Sequence, residues 1–139
     1  SSLVGSEMCI RDSLMSALAK ELYKKTRRVL FIDSFSLFSA FHKNRLGTLN
    51  ALDPIFDADV LMIDDLGTEP FAQNVTREYF FRLIEYRTLH RMHTFATTNL
   101  GYAALKERYT EKSVSRMLST DRAAVLDFHG RDLRLDKKG

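Results

Sequence analysis

The chain has 139 residues, 45% of them hydrophobic and 28% charged, with a formal net charge of +3 and a pI of about 9.1. That size suits one domain with a real core, and the composition excludes a low-complexity or disordered polymer. No apolar run approaches the roughly 18 residues of a membrane span. The single cysteine, Cys9, excludes an internal disulfide, and with no secretory signal pattern the expected compartment is a reducing cytoplasm. The mild positive charge is compatible with nucleic acid without requiring it.

Residues 1–13 differ from the rest of the chain. They have no helical or strand period, and they resemble translated sequencing-adapter read-through, so they are expected to be a non-native head that carries no function. From Leu14 an amphipathic helix is predicted, with Leu14, Ala17, Leu18 and Leu22 on one face and Lys20, Lys24 and Lys25 elsewhere. Strands are predicted at Val29–Ile32, Val60–Ile63, Thr94–Thr97 and Ala123–Phe128, with a last short one at Asp132–Leu135. Between them come a helix started by Ser34 and carrying Phe35, Leu37, Phe38 and Phe41, and a connection bracketed by Gly47 and Pro54. A loop over Gly67–Gln73 leads to a long helix capped by Asn74, with Tyr79, Phe80, Leu83, Ile84 and Leu89 facing inward. Short helices are expected at Tyr102–Arg108 and Glu111–Leu118. Strands alternating with helices imply βαβ units and a mostly parallel sheet.

Chemistry concentrates at three places. Val60-Leu61-Met62-Ile63 runs straight into Asp64-Asp65-Leu66-Gly67. A fully apolar strand ending in two carboxylates puts both acids where open α/β sheets bind ligands. In a nucleoside triphosphatase the first acid would hold Mg²⁺ through water and the second would act on the attacking water. The next strand ends in Thr97-Thr98-Asn99, and a right-handed crossover can bring it beside the acids, where Asn99 could position a water or sense a γ-phosphate. Arg116 lies in a short late helix, within Ser113-Val114-Ser115-Arg116-Met117-Leu118.

Read in order, VLMIDDLGTEP, the helix ending YRTLH, TFATTNL, ERYTEKSVSRML and DFHGRDLR resemble the AAA+ ATPases of the replicative helicase-loader group. That group includes the DnaC/DnaI loaders and the IstB-like helpers of transposition. The resemblance spans Leu14 to about Leu135. It implies a three-layer αβα P-loop ATPase core using ATP and Mg²⁺, with Asp64 as the Mg²⁺-associated acid and Asp65 as the catalytic acid. It also implies Asn99 as the first phosphate sensor and Arg116 as an arginine finger acting in trans within a homo-oligomer. Arg134 is a further phosphate-sensor candidate, with Arg131 as its competitor. The implied partners are a replicative helicase or a transposase, and single-stranded DNA. For DNA contact the residues themselves offer only Phe35–Arg45, where aromatics mix with Lys43 and Arg45, against the alternative of a core helix with a wet end.

One part of the pattern is missing. The phosphate-cradling loop G-x-x-x-x-G-K-[ST] should precede the helix near Leu14, but Gly5–Ser13 supplies only Gly5 at the right spacing. Ile10 and Arg11 replace the second glycine and the lysine, and Glu7 and Asp12 would repel a triphosphate. The expected organisation is therefore a head over residues 1–13 and a partial ATPase core over residues 14–139, without the first strand. In that family the missing strand lies mid-sheet, so a gap or poorly paired insert is expected beside Val60–Ile63 and Thr94–Thr97. The alternatives left open are a helicase loader, a transposition helper and a non-catalytic protein-binding remnant.

Overall fold

Four short apolar runs form the strands of one sheet: β1 (Val29–Asp33), β2 (Val60–Leu66), β3 (His93–Thr98) and β4 (Ala123–Leu126), in spatial order β1-β2-β3-β4 and parallel throughout. The computed structural model describes residues 16–21, 24, 25, 28–49, 51–127 and 129–138. Parallel strands need crossovers, and these are α1 (Ser34–Arg45) with α2 (Asp53–Asp57), then α3 (Thr76–Leu89), then α4 (Tyr102–Tyr109) with α5 (Glu111–Leu118). A 3₁₀ helix spans Leu133–Lys138.

The period-2 alternation of a strand divides the core in two. Leu61, Ile63, Ala96, Ala123 and Val125 face the main cluster, with Leu37, Phe41, Phe80, Leu83, Leu105, Tyr109, Val114 and Met117 from the crossover helices. Val60 and Met62 face the other way and pack with Val29, Phe95, Leu18 and Ala19, the last two from helical residues 16–21. The sheet is thus covered unequally, and the α/β layout is compatible with three αβα layers. Of the predicted first helix, Leu14 and Leu22 lie outside the described residues.

The expected gap does not form: β3 pairs directly with β4, with Thr94 opposite Ala123 and Ala96 opposite Val125. An unpaired β3 edge would leave backbone N–H and C=O groups orphaned beside a buried core, and β4 satisfies them. α1 begins at Ser34 as expected, and Asp33 caps it: its carboxylate accepts from the Ser36 N–H at 3.0 Å and the Ser36 hydroxyl at 2.6 Å. Those bonds from Ser36 hold the Asp33 carboxyl below its ordinary pKa. Asn74 caps nothing, because it turns the chain with φ of 64°, and α3 begins two residues later. Leu89, expected to face inward, points out of the core and is 69% exposed. The predicted last strand shrinks to one antiparallel bridge, Leu126 with Asp132, before the 3₁₀ helix.

Two polar features tie the layers together. Arg87, 1% exposed, lies inside the fold. Its guanidinium donates to the carbonyls of Phe56 (2.9 Å), Ala58 (2.7 Å) and His93 (2.7 Å) and to the Thr94 hydroxyl (2.8 Å). It therefore clamps α3 to the amino ends of β2 and β3. Between α4 and α5, Thr110 has φ 84° and ψ 147°, a conformation that is essentially glycine-only, while its hydroxyl caps α5 by accepting from the Ser113 N–H. Thr110→Ala should lose the cap and keep the strain, costing about 1 kcal/mol. Thr110→Gly should lose the cap but recover about 1–3 kcal/mol of strain. In urea titrations the glycine variant should therefore unfold later than the alanine variant; the opposite order would show that Thr110 is not strained.

Candidate active site at the carboxyl ends of the strands

Because the strands are all parallel, their carboxyl ends share one edge, carrying Asp33, Asp64-Asp65, Thr97-Thr98-Asn99 and Asp127. Strand β2 is irregular there. Ile63 pairs with Ala96 but Leu66 pairs with Thr98, so the ladder shifts at the two aspartates. A bulge adds a residue, bends the strand and re-aims side chains. Here it turns Asp65 left-handed, φ 59°, so the adjacent acids leave the strand in different ways.

Both acids are half-buried and both meet Thr97. The Thr97 hydroxyl donates to Asp64 Oδ1 at 2.9 Å and accepts from the Asp65 N–H at 3.0 Å. The Asp65 carbonyl accepts from the Ser34 and Thr68 hydroxyls, each at 2.8 Å. The Asp65–Glu69 turn is thus anchored to β3 on one side and to the first turn of α1 on the other. Within it, Gly67 has φ 107°, and a Cβ there would lie 2.6 Å from Leu100 Cδ1. The missing Cβ lets the turn lie against Leu100, the residue after Asn99, which is itself exposed at the end of β3.

The remaining sequence candidates stand elsewhere. Arg116 lies on α5, one third exposed, with Nη1 3.7 Å from Glu85 of α3. The Arg134 guanidinium donates to the carbonyls of Leu118 (3.1 Å), Thr120 (2.7 Å) and Ala123 (2.7 Å), and its ion pair is with Asp132. In this fold Arg134 fastens the α5–β4 connection. Arg131 pairs with Asp127 at 2.9 Å. Lys43 and Arg45 are exposed on the last turn of α1, Arg45 lying 3.8 Å from Glu78. The aromatic part of the expected DNA-contact segment is corrected: Phe38 and Phe41 are 5% and 0% exposed, which leaves Phe35 and His42 at the surface.

Sequence reasoning missed Thr97 as the residue that meets both acids, although it lies inside the predicted strand end. It also missed Ser34 as an anchor of the turn, and Glu69. Glu69 is 2% exposed and receives bonds from Gly67, Arg108 and Tyr109, all of which converge only in the fold.

Fold and site together define an α/β protein with a parallel sheet and a fixed pair of acids at its carboxyl edge. No protein-family model matches the chain, and no curated protein matches it. Among the described residues no helix is long and apolar enough to cross a membrane, and no group of three or more His, Cys, Asp or Glu residues could hold a metal ion.

Proposed function

We propose that this domain derives from an AAA+ P-loop ATPase of the helicase-loader group, acting on DNA with a replicative helicase or, in the IstB-like alternative, with a transposase. The observation that carries the reading is the bulged end of β2, where Thr97 binds Asp64 and the Asp65 amide and so gives two adjacent aspartates separate environments. The acids suit Mg²⁺-ATP: magnesium keeps several waters and takes one or two protein carboxylates beside phosphate oxygens. Asp64, oriented by Thr97, would hold the ion through water. Mg²⁺-ATP, when bound, supplies the phosphoryl group and neutralises its charge. Asp65 orients the attacking water and takes up its proton, and Asn99 holds that water from the neighbouring strand end. Arg116 would act on a neighbouring subunit's nucleotide in a homo-oligomer.

The phosphate cradle is the weak element, since Gly5–Ser13 lacks the glycine-lysine pair. That observation favours a second reading for the chain as written: a non-catalytic remnant that binds protein partners. Calorimetric titration with Mg²⁺-ATP separates the two. The chain as written should bind negligibly, and a version with G-x-x-x-x-G-K-[ST] restored before Leu14 should bind and hydrolyse. In that restored chain Asp65→Asn should abolish turnover while sparing ATP affinity. Equal loss of binding and turnover would refute the division of roles, and a restored loop that binds no nucleotide would refute the ATPase reading.

A further inference from the structure

Two residues beyond the glycine of the acid turn, Glu69 sinks its side chain wholly out of solvent. A buried carboxylate costs several kcal/mol unless it is well paired, and an apolar residue would fill the same space without that penalty. Its pairing is extensive and comes from two separate segments. Arg108 approaches Glu69 Oε2 with Nε at 3.1 Å and Nη2 at 2.9 Å, and also donates to the Glu69 carbonyl. The Tyr109 hydroxyl donates to both carboxylate oxygens, and burial followed by the Glu69 charge raises its pKa well above the ordinary phenol value, so it stays a donor. On the other side Glu69 Oε1 accepts from the Gly67 N–H at 3.1 Å. One carboxylate therefore joins the turn holding Asp65 to the last residues of α4, immediately before the strained Thr110 and the helix that carries Arg116.

We propose that Glu69 is a positioning residue for Asp65: through Gly67 it fixes the left-handed acid turn, and through Arg108 and Tyr109 it ties that turn to the α4–α5 corner. The inference rests on the reading of Asp65 as a functional acid. A role confined to loop stability would lower the melting temperature and leave the Asp65 backbone conformation as it is. A positioning role makes that conformation depend on Glu69.

The test is NMR on the chain as written. The strong intraresidue HN–Hα NOE of Asp65, from the short distance that a φ near 59° imposes, reports its positive φ, and exchange of the Gly67 amide reports the bond to Glu69. Glu69→Ala should erase the positive-φ signature, and Gly67 should exchange roughly tenfold to a hundredfold faster, as expected for losing a hydrogen bond to a charged group. Tyr109→Phe keeps the ring on Phe80, with centroids 4.5 Å apart, and decides the matter alone if Glu69→Ala does not fold; it should produce the same changes in part. Leu83→Ala, which loosens the core elsewhere, should produce neither. The inference is overturned if the Asp65 signature persists in every folded variant of Glu69 and Tyr109, or if Leu83→Ala erases it equally. No nucleotide enters this measurement. A restored chain without ATPase activity whose turn still depends on Glu69 would sink the proposed function and leave this inference standing.

Discussion

Arg87→Met should remove about 3–5 kcal/mol of folding stability, as expected when a buried hydrogen-bond network loses its central donor. The side chain is 1% exposed, and its donors serve the backbone carbonyls of Ile55, Phe56, Ala58 and His93 and the Thr94 hydroxyl. Methionine fills much of the volume but donates nothing, so these acceptors lose a donor, and each one that finds no other partner costs about 1–3 kcal/mol. Burial pushes the Arg87 pKa down to about 10, still far above neutrality, so the guanidinium is charged and the loss should not vary between pH 6 and 8. Arg87→Lys keeps the charge but not the planar fork and should fall between the two. Since a domain of this size has only about 5–15 kcal/mol in hand, the methionine variant should unfold at markedly lower urea. A midpoint within error of the parent would show that the clamp contributes nothing.

Gly67→Ala should cost about 2–4 kcal/mol by two separable routes, backbone strain and steric overlap. Its φ of 107° lies where L-residues are strained, and the new Cβ would sit 2.6 Å from Leu100 Cδ1 and 2.9 Å from Cγ. The overlap is with a side chain, which a second substitution can remove. Leu100→Ala in the Gly67→Ala background should therefore recover the steric part and leave about 1–3 kcal/mol of torsional cost, a non-additivity expected of residues in contact. Additive losses in the urea-derived stabilities would mean that Leu100 yields freely and that strain alone is felt. Because Gly67 lies two residues from Asp65 and donates to Glu69, the same variant should disturb the acid turn.

The sequence by itself determined the order and kind of nearly all the elements. Val60–Ile63 is apolar on both faces and precedes two acids, which marks a covered parallel strand, and β2 with its aspartates lies as that pattern requires. The helical period of Tyr79, Phe80, Leu83 and Ile84 marked the buried face of α3, and Arg87, one turn on, lies on that same face, although its charge gives no sign of burial in the sequence. What the tertiary structure decided are the features that depend on contacts distant in sequence. Direct β3–β4 pairing follows from satisfying a strand edge, and local propensity carries no record of it. The cap that Asp33 supplies to α1, and the left-handed Asn74 and Asp65, follow from how each turn meets its neighbours. Glu69 is a lone acid in a loop until Arg108 and Tyr109 come beside it. Periodicity reports which face of a segment is buried; it cannot report which polar groups the fold brings together at the ends of the strands, and there the candidate site lies.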